Sequence, residues 1–254
     1  MKKNILIFLI VFISFHSSAQ KIFEKDSFST SAGNLTIHFI GHGSLMFDFN
    51  GIIVHADPSM FYADYATFPK ADAILITHHH SDHLDTTAIS KILKDTTWIV
   101  LPQASYDKLT KSMVTKIGEK VNFTILKTSN GEKVNFPPFR ISVEAVPAYN
   151  TTPGKEKFHP KGRDNGYIIT FGDKRIYVAG DTENIPEMAT FKNIDIAFLP
   201  MNLPTMTPEQ VTDAVSSFNP KIFYPYHYGD SDVEKLKKLL SANKKVEVRI
   251  RSLK

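Results

Sequence analysis

The run His78-His79-His80-Ser81-Asp82-His83 is the stretch of this sequence best suited to chemistry, because it places four imidazoles and a carboxylate within six residues. It directly follows Ala73-Ile74-Leu75-Ile76-Thr77, an apolar run that predicts a short buried strand. Titratable side chains at the end of a buried strand are costly unless something satisfies them. A divalent metal ion does so, since imidazole nitrogens and carboxylate oxygens are ordinary ligands of zinc and its neighbours. A solvated, histidine-rich loop is the alternative, and we expect a metal site instead.

The spacing within this run indicates how metal ions would be held. Residues two apart in an extended segment point the same way, so His78 and His80 can hold one ion together. Asp82 and His83 follow after the chain has turned, and they are better placed for a second ion. The next segment predicts a helix with Asp85 as its N-cap, so a strand and a helix would fix the loop between them.

Two other predicted strands also end in candidate ligands. The run from Arg175 ends in Gly180-Asp181, and the run from Lys221 ends in His227. By itself, an aspartate after a glycine is typical of a turn, and a single histidine among aromatic residues is typical of packing. Beside a site for two ions, however, a carboxylate at a strand end is a natural bridge, because each of its oxygens can hold one ion. We therefore expect the three strand ends to meet at one rim.

Other patterns predict the elements that position these strand ends. The alternation over residues 35–39 predicts a strand with one apolar face, and Asn50-Gly51 between two apolar runs predicts a hairpin. Thr207 opens a capping box with proline at the first helical position, and Ser231 opens a similar helix start. A helix is also predicted over residues 106–117, and a last strand over residues 246–250. Strand-rich halves that each end in helices predict two packed sheets flanked by helices.

The amino terminus has the three parts of a secretory signal peptide: a basic start, a short apolar core, and small residues before Gln20. The core is short for a permanent transmembrane helix, so a retained anchor is the weaker alternative. We predict a signal peptide over residues 1–19, cleavage after Ala19, and one domain over residues 20–254. The sequence contains no cysteine, which excludes a lipoprotein anchor and a disulfide framework. The expected location is the periplasm or the extracellular space.

The small net charge argues against a nucleic-acid partner, and the length indicates the number of domains. The formal net charge of the 254 residues is +4, and removing Lys2 and Lys3 with the signal peptide reduces it to +2, which is too mild a bias for nucleic-acid binding. The remaining length suits one large domain or two tightly fused halves. We expect a small-molecule substrate and no permanent membrane anchor, and the sequence carries no indication of the oligomeric state.

Together these motifs resemble the metallo-β-lactamase fold superfamily. The ordered ligand motifs of that superfamily are matched, over nearly the whole mature chain, by His78-x-His80-x-Asp82-His83, Gly180-Asp181-Thr182 and His227. Gly41-His42-Gly43-Ser44, Ala56-Asp57-Pro58 and Pro225-Tyr226-His227-Tyr228-Gly229 look more like the branch that contains L-ascorbate-6-phosphate lactonase and N-acyl-phosphatidylethanolamine phospholipase D than like true β-lactamases. The resemblance implies an α/β (α+β) fold, an αββα sandwich of two mixed β-sheets flanked by helices. It also implies a hydrolase with two divalent metal ions, zinc or alternatively manganese.

The resemblance assigns a role to each candidate ligand. The ligands would be shared between two ions: His78 and His80 on the first, Asp82, His83 and His227 on the second, and Asp181 between them. The superfamily usually supplies a third histidine to the first ion just after a strand in the middle of the chain, where this sequence has Asn150. His159 is the nearest replacement, and Asn150 or a water molecule is the alternative.

Asp82 and His42 are the candidate catalytic residues. Metal ions lower the pKa of bound water, to about 7 in a well-studied zinc enzyme, so a metal-bridged hydroxide can attack a carbonyl or phosphorus centre. Asp82 can both bind metal and orient this nucleophile, and His42, between two glycines at a turn, can face the cleft. We expect His55 to be structural, and His79 to point away from the two ligands beside it.

The substrate is expected to be an ester, a lactone or a phosphodiester. Lys155, Lys157, Lys161 and Arg163 surround His159, and their charges favour an anionic, phosphorylated substrate where they face the site. A solvated surface loop explains the same charges at least as well. A non-catalytic metal- or ligand-binding protein on the same scaffold is the alternative function.

Overall fold

The computed structural model describes residues 22–113, 122–125, 131–136, 139–202 and 205–254. The described strands form two sheets of seven strands each. The first contains, in spatial order, β1 (Lys25–Thr30), β2 (Gly33–Gly41), β3 (Ser44–Phe49), β4 (Ile52–Ala56), β5 (Ala73–Leu75), β6 (Trp98–Leu101) and β7 (Asn122–Ile125). In the second sheet, too, neighbouring strands follow one another along the chain: β8 (Lys133–Phe136), β9 (Ile141–Ala148), β10 (Asp164–Phe171), β11 (Lys174–Val178), β12 (Ile196–Pro200), β13 (Ile222–Tyr226) and β14 (Glu247–Val248).

The α-helices of the described residues are α1 (Thr86–Ile92), α2 (Gln103–Met113), α3 (Pro208–Phe218) and α4 (Val233–Leu240), and short 3₁₀ helices span Tyr65–Thr67 and Pro186–Thr190. The predicted signal peptide, residues 1–19, lies outside the described residues. No helix within the described ranges is both long and apolar enough to cross a membrane.

Both sheets are mixed, as the sequence predicts. In the first sheet β1 to β4 pair antiparallel and β4 to β7 pair parallel. In the second sheet β8 to β11 pair antiparallel and β11 to β14 pair parallel. The predicted hairpin connects β3 and β4, and Asn50 and Gly51 have φ of 54° and 85°, the positive values that a tight hairpin turn requires.

The two sheets pack face to face and the helices cover their outer faces. Across the core, the rings of Phe47 and Phe171 lie 5.4 Å apart, and those of Phe39 and Tyr224 lie 5.1 Å apart. On the outer face of the first sheet, α1 and α2 contribute to a separate apolar cluster with β5 and β6. On the outer face of the second sheet, Phe218 of α3 packs edge-on against a β11 tyrosine. This arrangement confirms the predicted αββα sandwich.

Local sequence signals fix where the helices begin. Asp85 caps α1 by accepting hydrogen bonds from two backbone N–H groups, and Thr207 forms the predicted capping box with Gln210. The prediction that α4 starts from Ser231 is wrong by one residue. The N-cap is Asp232, whose carboxylate accepts from Lys235 N–H over 2.8 Å, because an ionised oxygen is a stronger acceptor than a hydroxyl.

The predicted last strand, residues 246–250, is shorter in the structure. Only Glu247 and Val248 pair with β13. After the strand, Arg249 N–H still donates to Phe223 O over 2.9 Å, and the side chains of Arg249 and Arg251 bind Asp26 of β1, with Arg251 Nη2 lying 2.8 Å from Asp26 Oδ2. The helix expected over residues 106–117 begins earlier, at Gln103, and the residues after Met113 lie outside the described range.

Candidate metal centre

The candidate ligands lie where the two sheets meet, at the carboxyl ends of their parallel strands. His78 follows β5, Asp181 follows β11 and His227 follows β13. Backbone hydrogen bonds join the sheets here, because Asn165 N–H donates to Thr77 O over 2.9 Å and the imidazole-bearing end of β13 donates to His42 O over 3.2 Å. The structure therefore brings the three strand ends together at one rim.

Two glycines allow these segments to approach. Gly180 has a φ of +66°, and a Cβ there would lie 2.9 Å from the Cβ of Thr77 on the opposite sheet. A Cβ at Gly43 would lie 2.7 Å from Cε1 of His83. Such contacts are closer than side-chain carbons tolerate, so the loops around the centre require glycine at both positions.

Three polar residues at the centre are held in the left-handed backbone region. His42, Asp57 and His227 have φ of 54°, 45° and 48°. This region costs a non-glycine residue about 1–3 kcal/mol, so the surrounding structure must over-determine it. Strain of this kind concentrates at functional sites, and here it sets the direction of side chains that face one another.

Four predicted ligands form a first group, which consists of His78, His80, His159 and Asp181. One ligand atom from each lies within 4.8 Å of the others. His78 is fully buried, and His159 and Asp181 are only 3% and 7% exposed. The structure thus joins a loop that follows β5, a segment that precedes β10, and the end of β11.

The remaining predicted ligands form a second group with His42, which consists of His42, Asp82, His83 and His227, again within 4.8 Å of one another. Asp82 Oδ2 lies 3.3 Å from Nε2 of His42, 3.7 Å from Nε2 of His227 and 3.8 Å from Nε2 of His83. Sequence reasoning treated His42 as a catalytic candidate. The structure places its Nε2 among potential ligand atoms, so it can also bind metal.

Asp181 contacts both groups. Its Oδ1 lies 3.5 Å from Nε2 of His83, and its Oδ2 lies 3.6 Å from Nε2 of His159 and 3.5 Å from Nε2 of His227. A carboxylate in this position can offer one oxygen to each group, which is the geometry that a bridging ligand needs.

Several buried polar atoms at the centre have no hydrogen-bond partner among the described residues. They are Nε2 of His78, Nε2 of His83, both ring nitrogens of His227 and Oδ1 of Asp181. Leaving such a group unsatisfied costs about 1–3 kcal/mol, so a cluster of them calls for a ligand. Imidazole nitrogens and carboxylate oxygens converging in this way fit a divalent cation such as zinc.

Asp57 orients His83, and sequence reasoning did not assign it this role. Both side chains are fully buried, and His83 Nδ1 donates to Asp57 Oδ2 over 2.8 Å. Asp57 also accepts from the backbone N–H and the hydroxyl of Thr77 over 2.8 and 2.6 Å. With its Nδ1 proton engaged, His83 presents the lone pair of Nε2 to the centre. The Ala56-Asp57-Pro58 motif was the available signal, since it follows an apolar run.

Asp164 plays the same part for His159, and it too was missed. His159 Nδ1 lies 3.0 Å from Asp164 Oδ2, and both side chains are buried. Arg163 holds this carboxylate with two hydrogen bonds of 2.8 Å. The pair therefore directs His159 Nε2 toward the first group. No spacing rule reveals it, because Asp164 is the first residue of a strand and looks like an ordinary loop end.

The two groups differ in electrostatics. Burial lowers the pKa of His80 to about 4, with nearby His159 adding to the effect, so the first group keeps a neutral imidazole well below neutral pH. At the second group burial also lowers the pKa of His83, but Asp181 and Asp57 outweigh burial and raise it to about 9. Burial raises the pKa of Asp82, but the imidazoles of His227 and His42, with Nε2 atoms 3.7 and 3.3 Å from its Oδ2, lower it far below its ordinary value. The centre therefore has a negative potential that favours a cation.

Tyr62 covers His42 and forms part of the rim. The two rings are stacked, with centroids 4.9 Å apart and planes 15° from parallel. Burial raises the pKa of Tyr62 to about 12, and Asp82 adds to the rise. The phenol therefore stays protonated at neutral pH and can donate a hydrogen bond to a substrate. Nothing in the sequence around Tyr62 distinguishes it from a loop aromatic.

Three other predictions concern single residues near the run. The side-chain amide of Asn150 donates to Lys155 O over 3.1 Å, and His159 lies in the first group. His55 is fully buried against Tyr65, with ring centroids 5.6 Å apart, which agrees with a structural role. His79 belongs to neither group of candidate ligands.

The basic residues around His159 are mostly paired with carboxylates. Lys155 Nζ lies 3.6 Å from Glu183, and Lys161 Nζ lies 2.8 Å from Glu187. Arg163 is bound to Asp164, as described above. Lys157 packs over the ring of the neighbouring phenylalanine, with its Nζ 5.1 Å from the ring centroid. The positive charge of the loop is therefore largely neutralised within the protein.

Comparison with known proteins finds similarity over most of the chain. A sequence profile of the beta-lactamase superfamily domain matches residues 49–228. A UPF0173 metal-dependent hydrolase from Enterococcus faecalis is 36% identical over 167 residues, which cover 62% of this chain and 67% of that protein. The solved structure of a candidate metal-dependent hydrolase from Parabacteroides distasonis has 49% identity and a TM-score of 0.84, covering 92% of this chain and 100% of that one.

A more distant structure shows similarity of fold alone. Igni18, a metallo hydrolase from the archaeon Ignicoccus hospitalis, is 22% identical, with a TM-score of 0.70 over 86% of this chain and 95% of that one.

Proposed function

The chain belongs to the β-lactamase superfamily and is similar to metal-dependent hydrolases, and on this premise we propose that it uses two divalent metal ions to hydrolyse an ester, a lactone or a phosphodiester. The predicted superfamily and fold are thereby confirmed, whereas the branch with the ascorbate-6-phosphate lactonase and the phospholipase D stays a prediction. The observation that carries the proposal is the pair of four-residue groups joined by Asp181.

The bound ions, zinc or alternatively manganese, would supply Lewis acidity and a water that is activated at neutral pH. The residues that would hold them are His78, His80, His159 and Asp181 on one side and His42, Asp82, His83 and His227 on the other. The lowered pKa values of His78 and His80 keep these imidazoles neutral, and those of Asp82 and Asp181 keep these carboxylates ionised, as such a pair of cations needs.

Asp82 is the ligand best placed to act on the attacking water. Its side chain is 34% exposed, compared with 13% for His42, 9% for Asp181 and 0% for His83. Water and substrate can therefore approach the centre from the side of Asp82. An ionised carboxylate there accepts a hydrogen bond from water and orients its lone pair toward the electrophilic atom. Tyr62, stacked on His42, can donate a hydrogen bond to the substrate from the same side.

The class of substrate depends on the charges of the loop around His159. An anionic, phosphorylated substrate was favoured by four basic residues, and carboxylates pair with three of them. The fourth basic residue, Lys157, packs over an aromatic ring. We therefore propose esters and lactones on equal terms with phosphodiesters.

The alternative function, a non-catalytic metal- or ligand-binding protein, uses the same groups. The number of candidate ligands argues against it. A centre that has lost catalysis has no need to keep eight ligand atoms together, including those of Asp82 and Asp181. Metal content alone does not separate the two functions, so the test must include turnover.

The deciding experiment combines metal analysis with a substrate panel. The full chain should carry close to two divalent ions, lose them to a chelator, and hydrolyse at least one of an aryl ester, a lactone and a bis-aryl phosphodiester. Adding Zn²⁺ or Mn²⁺ back should restore activity, and Asp82→Asn should lose it while Asp173→Asn, at a surface carboxylate, should not. No restorable metal would contradict the proposal, and two ions without turnover on the panel would favour the binding protein.

We also propose that the chain is exported to the periplasm or beyond the cell. The proposal rests on the basic, apolar and small-residue parts of residues 1–19. Mass spectrometry of the protein from its native cells should find a mature form that starts at Gln20. An intact form beginning at Met1 in the cytosol would contradict it.

A further inference from the structure

The first group takes its third imidazole from a segment that has neither helix nor strand. β9 ends at Ala148, and His159 lies in the turns that precede β10. We call residues 150–163 the ligand loop. A metal ligand must be held to within about 0.5 Å of its working position, so a side chain on such a loop needs bonds that fix the loop itself.

Glu183 supplies these bonds at the start of the ligand loop. The residue is 1% exposed, and its Oε2 accepts hydrogen bonds from Thr151 N–H over 2.7 Å, from Thr151 Oγ1 over 2.9 Å and from Thr152 N–H over 2.7 Å. Its Oε1 lies 3.6 Å from Lys155 Nζ. Hydrogen bonds to an ionised oxygen are stronger than neutral ones, so three on one carboxylate fix the backbone there firmly.

Glu183 is equally fixed to the segment that carries Asp181. Its N–H donates to Tyr149 O over 3.0 Å. The hydroxyl of Thr182 accepts from Tyr149 N–H and lies 3.1 Å from Tyr149 O. At its far end the ligand loop closes on its own start, because Asn150 N–H donates to His159 O over 2.8 Å. One buried carboxylate therefore connects the bridging aspartate with the loop of the third imidazole.

We propose that Glu183 is a positioning residue for the metal centre, because it fixes the ligand loop against the Asp181 segment and so holds His159 in the first group. Asp164 sets the orientation of the His159 ring, whereas Glu183 sets the place of the loop that carries the ring. The inference rests on the proposed function, since it requires the first group to bind an ion.

The test measures Co²⁺ binding to the metal-free full chain in the wild type, Glu183→Ala, His159→Ala and the double variant. The wild type should bind two ions. Glu183→Ala and His159→Ala should each weaken one of the two by about 10- to 100-fold and change the visible Co²⁺ absorption in the same way. The double variant should lose no more than His159→Ala, because Glu183 acts through His159.

Two further variants control for folding and for charge. Glu209→Ala removes a half-exposed surface carboxylate that pairs with Lys235, and it should leave both ions unaffected. Thr151→Val removes one of the three bonds without touching Glu183, so it should weaken the same ion by a smaller factor. It decides the question where Glu183→Ala does not fold as judged by circular dichroism.

The outcomes separate this inference from the proposed function. Additive losses in the double variant, or unchanged Co²⁺ binding by a folded Glu183→Ala or by Thr151→Val, would overturn the role of Glu183 and leave the two-ion hydrolase intact. A wild-type chain that binds neither Co²⁺ nor Zn²⁺ would overturn the proposed function, and the role of Glu183 with it.

Discussion

Replacing Asp57 with asparagine tests how the second group is prepared for a cation. Asparagine keeps the size of the side chain and one oxygen, which can still accept from Thr77 N–H. Its other terminal group is an amide NH₂, which cannot accept the hydrogen bond that His83 Nδ1–H donates. His83 must then lose its buried hydrogen bond or move its proton to Nε2, where the lone pair for the metal is needed.

The size of the effect follows from the burial of this pair. Both side chains are fully buried and 2.8 Å apart, so solvent does not screen the interaction. Loss of a partner that orients a ligand costs about 10- to 100-fold in metal affinity, which corresponds to about 1.4–2.8 kcal/mol. Loss of one hydrogen bond to a charged group lowers the free energy of unfolding by about 1.5–3 kcal/mol. We expect Asp57→Asn to show both losses.

The assay is a Zn²⁺ competition titration against a chelator, combined with urea unfolding of the metal-free chain. Asp173→Asn is the matched control, because Asp173 is half-exposed, pairs with Lys174 and accepts from Ser31 N–H over 2.6 Å, a bond that the asparagine oxygen can keep. It should leave Zn²⁺ affinity unchanged and lower the free energy of unfolding by less than Asp57→Asn does. An Asp57→Asn variant that binds both ions as tightly as the wild type would refute the argument that Asp57 sets the tautomer of His83.

Three further predictions concern the same centre. Asp181→Ala should remove or weaken both ions, whereas His159→Ala should affect one, and elemental analysis that finds the reverse order would contradict the bridging role. The pKa of metal-free His83 is raised to about 9, so a cation must displace its proton at neutral pH. The affinity for Zn²⁺ should therefore rise by about tenfold per pH unit up to about pH 9 and then level off. Calorimetry in buffers of different ionisation enthalpy should detect the released proton, and an affinity that does not change with pH would contradict the displacement. Lys157→Ala should raise KM and reduce its dependence on salt for an anionic substrate while leaving kcat unchanged, and Lys161→Ala, whose charge Glu187 neutralises, should do less; equal effects on KM would show that pairing does not decide which lysine meets the substrate.

The strand-end ligands could be predicted because their signal is local. A buried strand such as β5 cannot end in three imidazoles and a carboxylate without a partner, and the same reasoning applies where Asp181 and His227 end β11 and β13. The fold followed from alternation, one hairpin turn and the helix caps, all of which involve residues close in sequence.

Two residues that support the ligands, Asp57 and Glu183, could not be predicted, because they come from distant parts of the chain. Asp57 meets His83 across 26 positions, and Glu183 meets Thr151 across 32. Each is a carboxylate near a loop, which the sequence alone assigns to a turn or to solvent. Only the packing of the two sheets reveals that each is buried and paired.

The two groups reach the same donor geometry by different physical means. In the second group the backbone itself is constrained, since His42 and His227 are held at positive φ and Asp57 fixes His83 from the interior of the first sheet. In the first group the candidate ligand His159 lies in a loop, so no strand fixes its place. Buried carboxylates contact it or its loop instead, because Asp164 binds the His159 ring and Glu183 binds the loop backbone. A ligand on a loop needs side-chain contacts to fix its position, and in this chain two carboxylates that belong to neither candidate ligand group, Asp164 and Glu183, provide them.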